Sequence, residues 1–190
     1  MKIPIEISAR HIHLSRKDLE RLFGRGYELK KFKALSEIGE FAARETVMAE
    51  NKKMALKVRV VGPVRPRTQL EVTATEAYHL GIKAPVRLSG DLKGTPGIEL
   101  IGSKGKVRIS EGVIIAQRHL HASPEEAKKL RLGHRHKVKA RTEGERGVVF
   151  ENVIVRVAKN FRLSMHIDTD EANAAGLWKK NNYGRLQLNN

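Results

Sequence analysis

At 190 residues, 40% hydrophobic and free of Cys, the chain can build an aliphatic core but no disulfide framework, thiolate metal site or cysteine nucleophile. Its formal charge of +16, from 37 Lys and Arg against 21 Asp and Glu, attracts anions. Aromatics make up only 5% and the basic residues are spread along the chain, unlike the usual single-stranded nucleic-acid binder, so nucleic acid ranks below an anionic surface or phosphorylated small molecules as the partner.

A basic, thermostable surface is equally compatible with the charge. No apolar run approaches the ~20 residues needed to span a bilayer. The start, Met1-Lys2-Ile3-Pro4-Ile5, has no signal-peptide core and enters a strand pattern at once. The chain is therefore expected to have no membrane partner. The absence of Cys is compatible with the cytosol.

In chain order, the first motif is Arg10-His11-Ile12-His13. On a strand, side chains alternate with period two, so His11 and His13 share a face. Two imidazoles on one face form half of a transition-metal site. Ser15 follows as a helix N-cap, with Asp18 three positions later and Gly24 as the expected stop. Residues 35–43 are less regular and read as a loop with a short helical turn. A strand is expected over residues 55–61, where apolar and basic residues alternate.

The segment Gly62-Pro63-Val64-Arg65-Pro66-Arg67 then brings two guanidinium groups close to Glu71. Arg suits multidentate recognition of phosphate, and a solvated basic turn is the bland alternative. Glu71 leads into a second cap, Thr73-Ala74-Thr75-Glu76, and a short helix that Gly81 stops; His79 inside it reads as structural. Ser89 lies in Leu88-Ser89-Gly90-Asp91 and is a hydroxyl donor or a turn residue; no nucleophile-elbow pattern surrounds it. Strands are expected at 86–89, 98–101 and 106–109, separated by Gly-rich turns.

Arg118-His119-Leu120-His121 repeats the first motif and runs through Ser123 and Pro124 into a third helix, for which Gly133 is the expected stop. A third His-x-His, His134-Arg135-His136, lacks the strand-to-cap setting and reads as a solvated strand or turn. After a strand at 153–157 comes the fourth cap, Asp168 with Glu171, preceded by His166 and stopped by Gly176. Residues 178–190 are polar and lose periodicity, which leaves either an ordered or a frayed tail.

Four units thus share a register: strand, corner, short helix, with His13, Glu71, His121 or His166 two positions before the cap. His11 and His119 add two more imidazoles. Six ligands divide into two metal sites. His-rich coordination with one carboxylate and no thiolate suits zinc, with cobalt or nickel as alternatives. Many short strands with brief helices predict a mainly β fold of two small barrels related by duplication, with halves over 1–90 and 91–190 and an N-terminal strand free to cross between them.

At these motifs the chain resembles the phosphate propanoyltransferases, phosphotransacylases associated with bacterial microcompartments. The blocks that carry the resemblance are Ser8-Ala9-Arg10-His11-Ile12-His13-Leu14-Ser15, residues 34–43, Gly62-Pro63-Val64-Arg65, Arg87-Leu88-Ser89-Gly90-Asp91, Gly94-Thr95-Pro96-Gly97, Arg118-His119-Leu120-His121 and residues 165–174. The resemblance implies two β-barrel domains, a homodimer, a dinuclear zinc site, and reversible acyl transfer between coenzyme A and inorganic phosphate. It assigns His11, His13 and Glu71 to one zinc and His119, His121 and His166 to the other. It places phosphate on Arg65 with Ser89 nearby, and coenzyme A along Ser8, Ala9, Arg10 and Asn173. Microcompartment-targeted members carry an amphipathic extension before the first strand. This chain starts only a few residues before it, so a cytoplasmic enzyme acting on acetyl- or propanoyl-coenzyme A is expected. The competing readings are a dinuclear zinc hydrolase of thioesters or phosphoesters and, in another class, a nucleic-acid-binding β-barrel protein with structural metal.

Overall fold

A computed structural model describes residues 1–52, 54–178 and 181–187. In chain order it begins with β1 (Lys2–Ser8), β2 (His11–His13), α1 (Arg16–Phe23), β3 (Lys31–Ala34), β4 (Phe41–Asn51) and β5 (Met54–Gly62). Next come β6 (Gln69–Val72), α2 (Ala74–Leu80), β7 (Val86–Arg87), β8 (Ile98–Ile101), β9 (Lys106–Ile109) and β10 (Val113–Ala116). The last part holds β11 (His119–Ala122), α3 (Pro124–Lys129), β12 (Lys137–Thr142), β13 (Val149–Val157), β14 (Ser164–Asp168), α4 (Thr169–Ala175) and β15 (Asn182–Gln187). The protein is mainly β with short helices, as its alternating segments predict.

The chain divides into two compact units. One holds residues 1–8, 36–38 and 117–190; the other holds 9–35 and 39–116. The main boundary falls between Ala116 and Gln117, whereas the expected halves met near residue 90. The reason is pairing: β8 joins β4, β9 joins β8, and β10 runs parallel to β6 and β7, so residues 98–116 complete the sheet begun by β2.

In the unit that contains both termini, β1-β14-β11-β13-β12-β15 close into a six-stranded barrel. β1 pairs in parallel with β14 and antiparallel with β15. Its Ile3 and Ile5 alternate inward and join Leu120, Val153, Val155, Met165, Ile167 and Leu186 in the core. The polar tail is thus a strand, at least over Asn182–Gln187, and it closes the barrel between β1 and β12. Gly184 and Leu186 face inward while Tyr183, Arg185 and Gln187 face solvent, too thin a pattern to read without its neighbours. The rest of the expected tail, 179–180 and 188–190, lies outside the described residues.

The other unit is a nine-stranded sheet ordered β7-β10-β6-β2-β5-β4-β8-β9, with β3 added beside β4. Its core gathers Ile12, Leu14, Leu19, Leu22, Val58, Val60, Leu70 and Leu100. The segment over 35–43 forms no helix: residues 35–40 are irregular and Phe41–Ala43 already belong to β4.

All four predicted caps are present. Ser15, Thr73, Ser123 and Asp168 each accept the backbone N–H three residues on. In the last three, the acidic residue reaches back to complete a capping box, a motif in which each cap contributes about 1 kcal/mol. Gly81 and Gly176 end their helices in the left-handed region, and Gly24 ends α1 at φ 110°. Gly133 does not stop α3. That helix ends earlier, at Lys129, with Leu130 as cap and Arg131 taking the positive φ of 54°.

Candidate metal centres

The same local geometry builds two triads, one in each unit. In the nine-stranded sheet, β2 lies antiparallel to β6, with His11 directly opposite Glu71. In the barrel, β11 lies antiparallel to β14, with His119 directly opposite His166. Directly paired cross-strand residues hold their Cβ atoms about 5 Å apart. His13 and His121 sit two residues on, so they return to the same face as the first His. Hence His11, His13 and Glu71 form one group, and His119, His121 and His166 another, each with ligand atoms within 4.8 Å of one another. Each third residue, Glu71 or His166, comes from a strand that leads into a capped helix.

In the first triad, His11 Nε2 lies 3.6 Å from Glu71 Oε2. The His11 and His13 rings meet edge to face with centroids 5.1 Å apart. His11 Nδ1 bonds to the Ala9 carbonyl at 2.9 Å and His13 Nδ1 to the Val61 carbonyl at 3.2 Å. Each imidazole donates from Nδ1 there, which leaves Nε2 as an acceptor for a metal. Burial, helped by the His11 and Arg65 charges, pushes His13 down to about 3, so its imidazole is neutral as ligation requires.

In the second triad, His119 and His166 stack in parallel with centroids 5.1 Å apart, and His121 and His166 lie at 4.5 Å. His119 Nδ1 bonds to the Gln117 carbonyl at 2.8 Å, repeating the His11 arrangement. Burial, then the neighbouring His166 and His119, holds His121 far below the usual imidazole range. Among the described residues, His121 Nε2 is the buried side-chain nitrogen or oxygen without a hydrogen-bond partner. A buried, unpartnered imidazole nitrogen is costly in water-free surroundings, and a metal ion is a group that would satisfy it. Both triads therefore fit a divalent, nitrogen-preferring ion.

Arg65 lies next to the first triad in a continuous polar network. Its Nη1 donates to Ser89 Oγ at 3.0 Å and its Nη2 to Glu40 Oε1 at 2.8 Å. Gln69 Nε2 donates to Ser89 Oγ at 2.8 Å and to Glu71 Oε1 at 2.5 Å, while Gln69 Oε1 accepts the Gly90 N–H at 2.7 Å. Ser89 thus accepts two hydrogen bonds, and its own hydroxyl proton is left to donate elsewhere. Arg65, Ser89 and Glu71 stand out in the sequence, whereas Gln69 and Glu40 do not. Gln69 had a signal, since it lies two positions before Glu71 on a strand. Glu40 had none, because it sits in an irregular segment.

The expected coenzyme A residues are placed as follows. Ser8 ends β1 and pairs with Asp168, the cap of the helix that carries exposed Asn173. Ala9 and Arg10 belong to the other unit, where Arg10 is paired with Glu76 at 2.5 Å and donates to the Lys57 carbonyl. His134 and His136 occupy an exposed turn, where Nδ1 atoms accept from the Val157 and Gly133 N–H groups. His79 is exposed on α2, inside the second helix as expected, against Tyr78.

A β protein carrying two His-rich, metal-ready triads, one with an Arg–Ser pair beside it, has the parts of a metal-assisted transferase or hydrolase of anionic substrates. Comparison with known proteins decides between these. The profile of the phosphate propanoyltransferase family matches residues 4–178. A phosphate propanoyltransferase of Thermotoga maritima is 50% identical over 177 residues, covering 92% of this chain and 84% of that protein. The Salmonella typhimurium phosphate propanoyltransferase is 49% identical over 186 residues, 97% of this chain and 88% of its own. That of Listeria monocytogenes is 43% identical over 178 residues, covering 93% and 84%.

This chain belongs to the phosphate propanoyltransferase family. It is an acyltransferase of the phosphotransacylase kind. Among the described residues no helix is long and apolar enough to cross a membrane.

Proposed function

We propose that the enzyme reversibly converts propanoyl- or acetyl-coenzyme A and inorganic phosphate into acyl phosphate and coenzyme A, by direct attack of phosphate at a dinuclear zinc site. The observation that carries this reading is the matched build of the two triads, each with its first His opposite its third ligand. His11, His13 and Glu71 would hold one zinc, and His119, His121 and His166 the other. When bound, zinc would supply Lewis acidity toward the thioester carbonyl and affinity for sulfur.

The chain's own residues do the rest. Phosphate is anionic near neutral pH and needs placement more than activation. Arg65 clamps it by charge-assisted hydrogen bonds, and the Glu40 carboxylate orients the guanidinium. Ser89 directs its hydroxyl proton to a phosphate oxygen because Arg65 and Gln69 already occupy its acceptor sites. A phosphate oxygen then bonds to the acyl carbon, the C–S bond breaks, and coenzyme A leaves as thiolate. No Cys exists to carry the acyl group in between. Ser8, Ala9, Arg10 and Asn173 would bind coenzyme A. A homodimer and a cytoplasmic location belong to the same proposal; the cysteine-free composition is compatible with the latter.

The test is coenzyme A release from acetyl, propanoyl and butanoyl thioesters, with and without phosphate, in metal-replete and chelated protein. Phosphate-dependent acyl phosphate formation that chelation abolishes is expected. Phosphate-independent release of the free acid would instead make the protein a hydrolase.

A further inference from the structure

Of the four imidazoles in the two His-x-His strands, three direct Nδ1 at a backbone carbonyl: His11 at Ala9, His13 at Val61 and His119 at Gln117. His121 differs. Its Nδ1 faces a side chain, Glu37 Oε1, at 3.4 Å, and the same oxygen lies 3.8 Å from His166 Nε2. We infer that Glu37 is the positioning carboxylate of the His119–His121–His166 centre: it accepts the His121 Nδ1–H, fixes that tautomer, and turns Nε2 toward the metal. The inference rests on the reading of this triad as a metal site.

Several observations agree. His121 Nε2 is buried without a partner, so it is the nitrogen that a ligand must satisfy. Glu37 reaches the triad because residues 36–38 join the barrel unit, while the residues on either side of them belong to the other unit. Two contacts hold that short segment. Ser36 Oγ donates to Glu6 Oε2 at 2.6 Å, and the Ile38 N–H donates to the Asn160 carbonyl at 3.2 Å. Ser36 Oγ also lies 3.1 Å from Glu37 Oε2, which leaves Oε1 for the imidazoles. The side chain is only 16% exposed.

The 3.4 Å approach is longer than a closed hydrogen bond, so the contact here is one of charge and orientation. A carboxylate there raises ligand basicity and orients the ring more firmly than a carbonyl does. It also balances charge between the two centres. Glu71 supplies a carboxylate as a ligand in one triad; Glu37 supplies one behind a ligand in the other.

The experiment uses the full-length protein loaded with zinc, and in parallel with cobalt(II). Metal content, release to a chromophoric chelator and the visible cobalt spectrum are measured for wild type, Glu37→Gln, Glu37→Ala and His166→Ala. The last identifies the release phase of the barrel centre, since it removes that phase. In Glu37→Gln, which keeps the shape of the side chain, that phase is expected to be about 10- to 100-fold faster, with the other phase unchanged and the cobalt absorption of one site shifted. Two metals released in Glu37→Gln and Glu37→Ala as in wild type, with unaltered cobalt spectra, would overturn the role of Glu37 alone. Metal content and release unchanged between wild type and His166→Ala would overturn the reading of the barrel triad as a metal site, and this inference with it.

Discussion

His13 shows how burial prepares a candidate ligand. Its neutral form is favoured in the folded chain, with the imidazole pushed from 6.5 down to about 3. The unfolded chain therefore binds a proton more readily between those values, and stability rises with pH across that window. The metal-free protein is expected to lose thermal stability as pH falls from about 6.5 toward 3, and a His13→Gln variant to show a flatter profile in melts of chelated protein. Arg65 carries a different prediction. Its guanidinium meets Ser89 and Glu40 but is not a metal ligand. Arg65→Ala should raise the KM for phosphate by about 10- to 100-fold, the worth of a lost charged hydrogen bond, while zinc content stays at the wild-type value. Saturation kinetics in phosphate alongside metal analysis check both halves. At this scale the six candidate ligands are legible because their types and spacing are chemically restrictive. Glu37 and Glu40 are not, since an irregular segment offers no periodicity from which to tell where a side chain points.

Among the elements, the strand–corner–helix unit was the most legible, because a cap residue, an acidic residue three positions on and a terminal Gly are all local signals. The same locality explains the failures. Gly133 looked like a stop, yet α3 ends where Leu130 and Arg131 let the chain turn back, with the Leu132 N–H bonding to the Ala127 carbonyl. The strand β15 escaped because its apolar positions are few and its partners lie far away in sequence. The Gly94-Thr95-Pro96-Gly97 turn shows the opposite case, a motif whose reason only the structure supplies. A Cβ on Gly97 would stand 2.0 Å from the Ile109 carbonyl oxygen and 2.8 Å from the Ser110 backbone. Backbone cannot step aside as a flexible side chain can. Gly97→Ala should therefore destabilise the protein by about 1–3 kcal/mol, the usual range for overpacking, read from denaturant unfolding.

For the molecule as a whole, the charge of +16 acquires a use once the substrates are anions. Coenzyme A carries several phosphates, and attraction over more than about 8–10 Å is screened at physiological salt. Rising KCl is expected to lower kcat/KM for acyl-coenzyme A while leaving bound metal unchanged; a salt-independent kcat/KM would reduce the charge to plain surface. By itself the sequence determined composition-level exclusions, the four capped corners and the register of six candidate ligands, because each depends on residue types a few positions apart. Tertiary structure alone decided that His11 faces Glu71 and His119 faces His166, that residues 98–116 complete the sheet of β2, and that the polar tail closes a barrel. Those outcomes depend on which distant strands pair. Pairing is set by the burial of whole faces, which no local window of sequence contains.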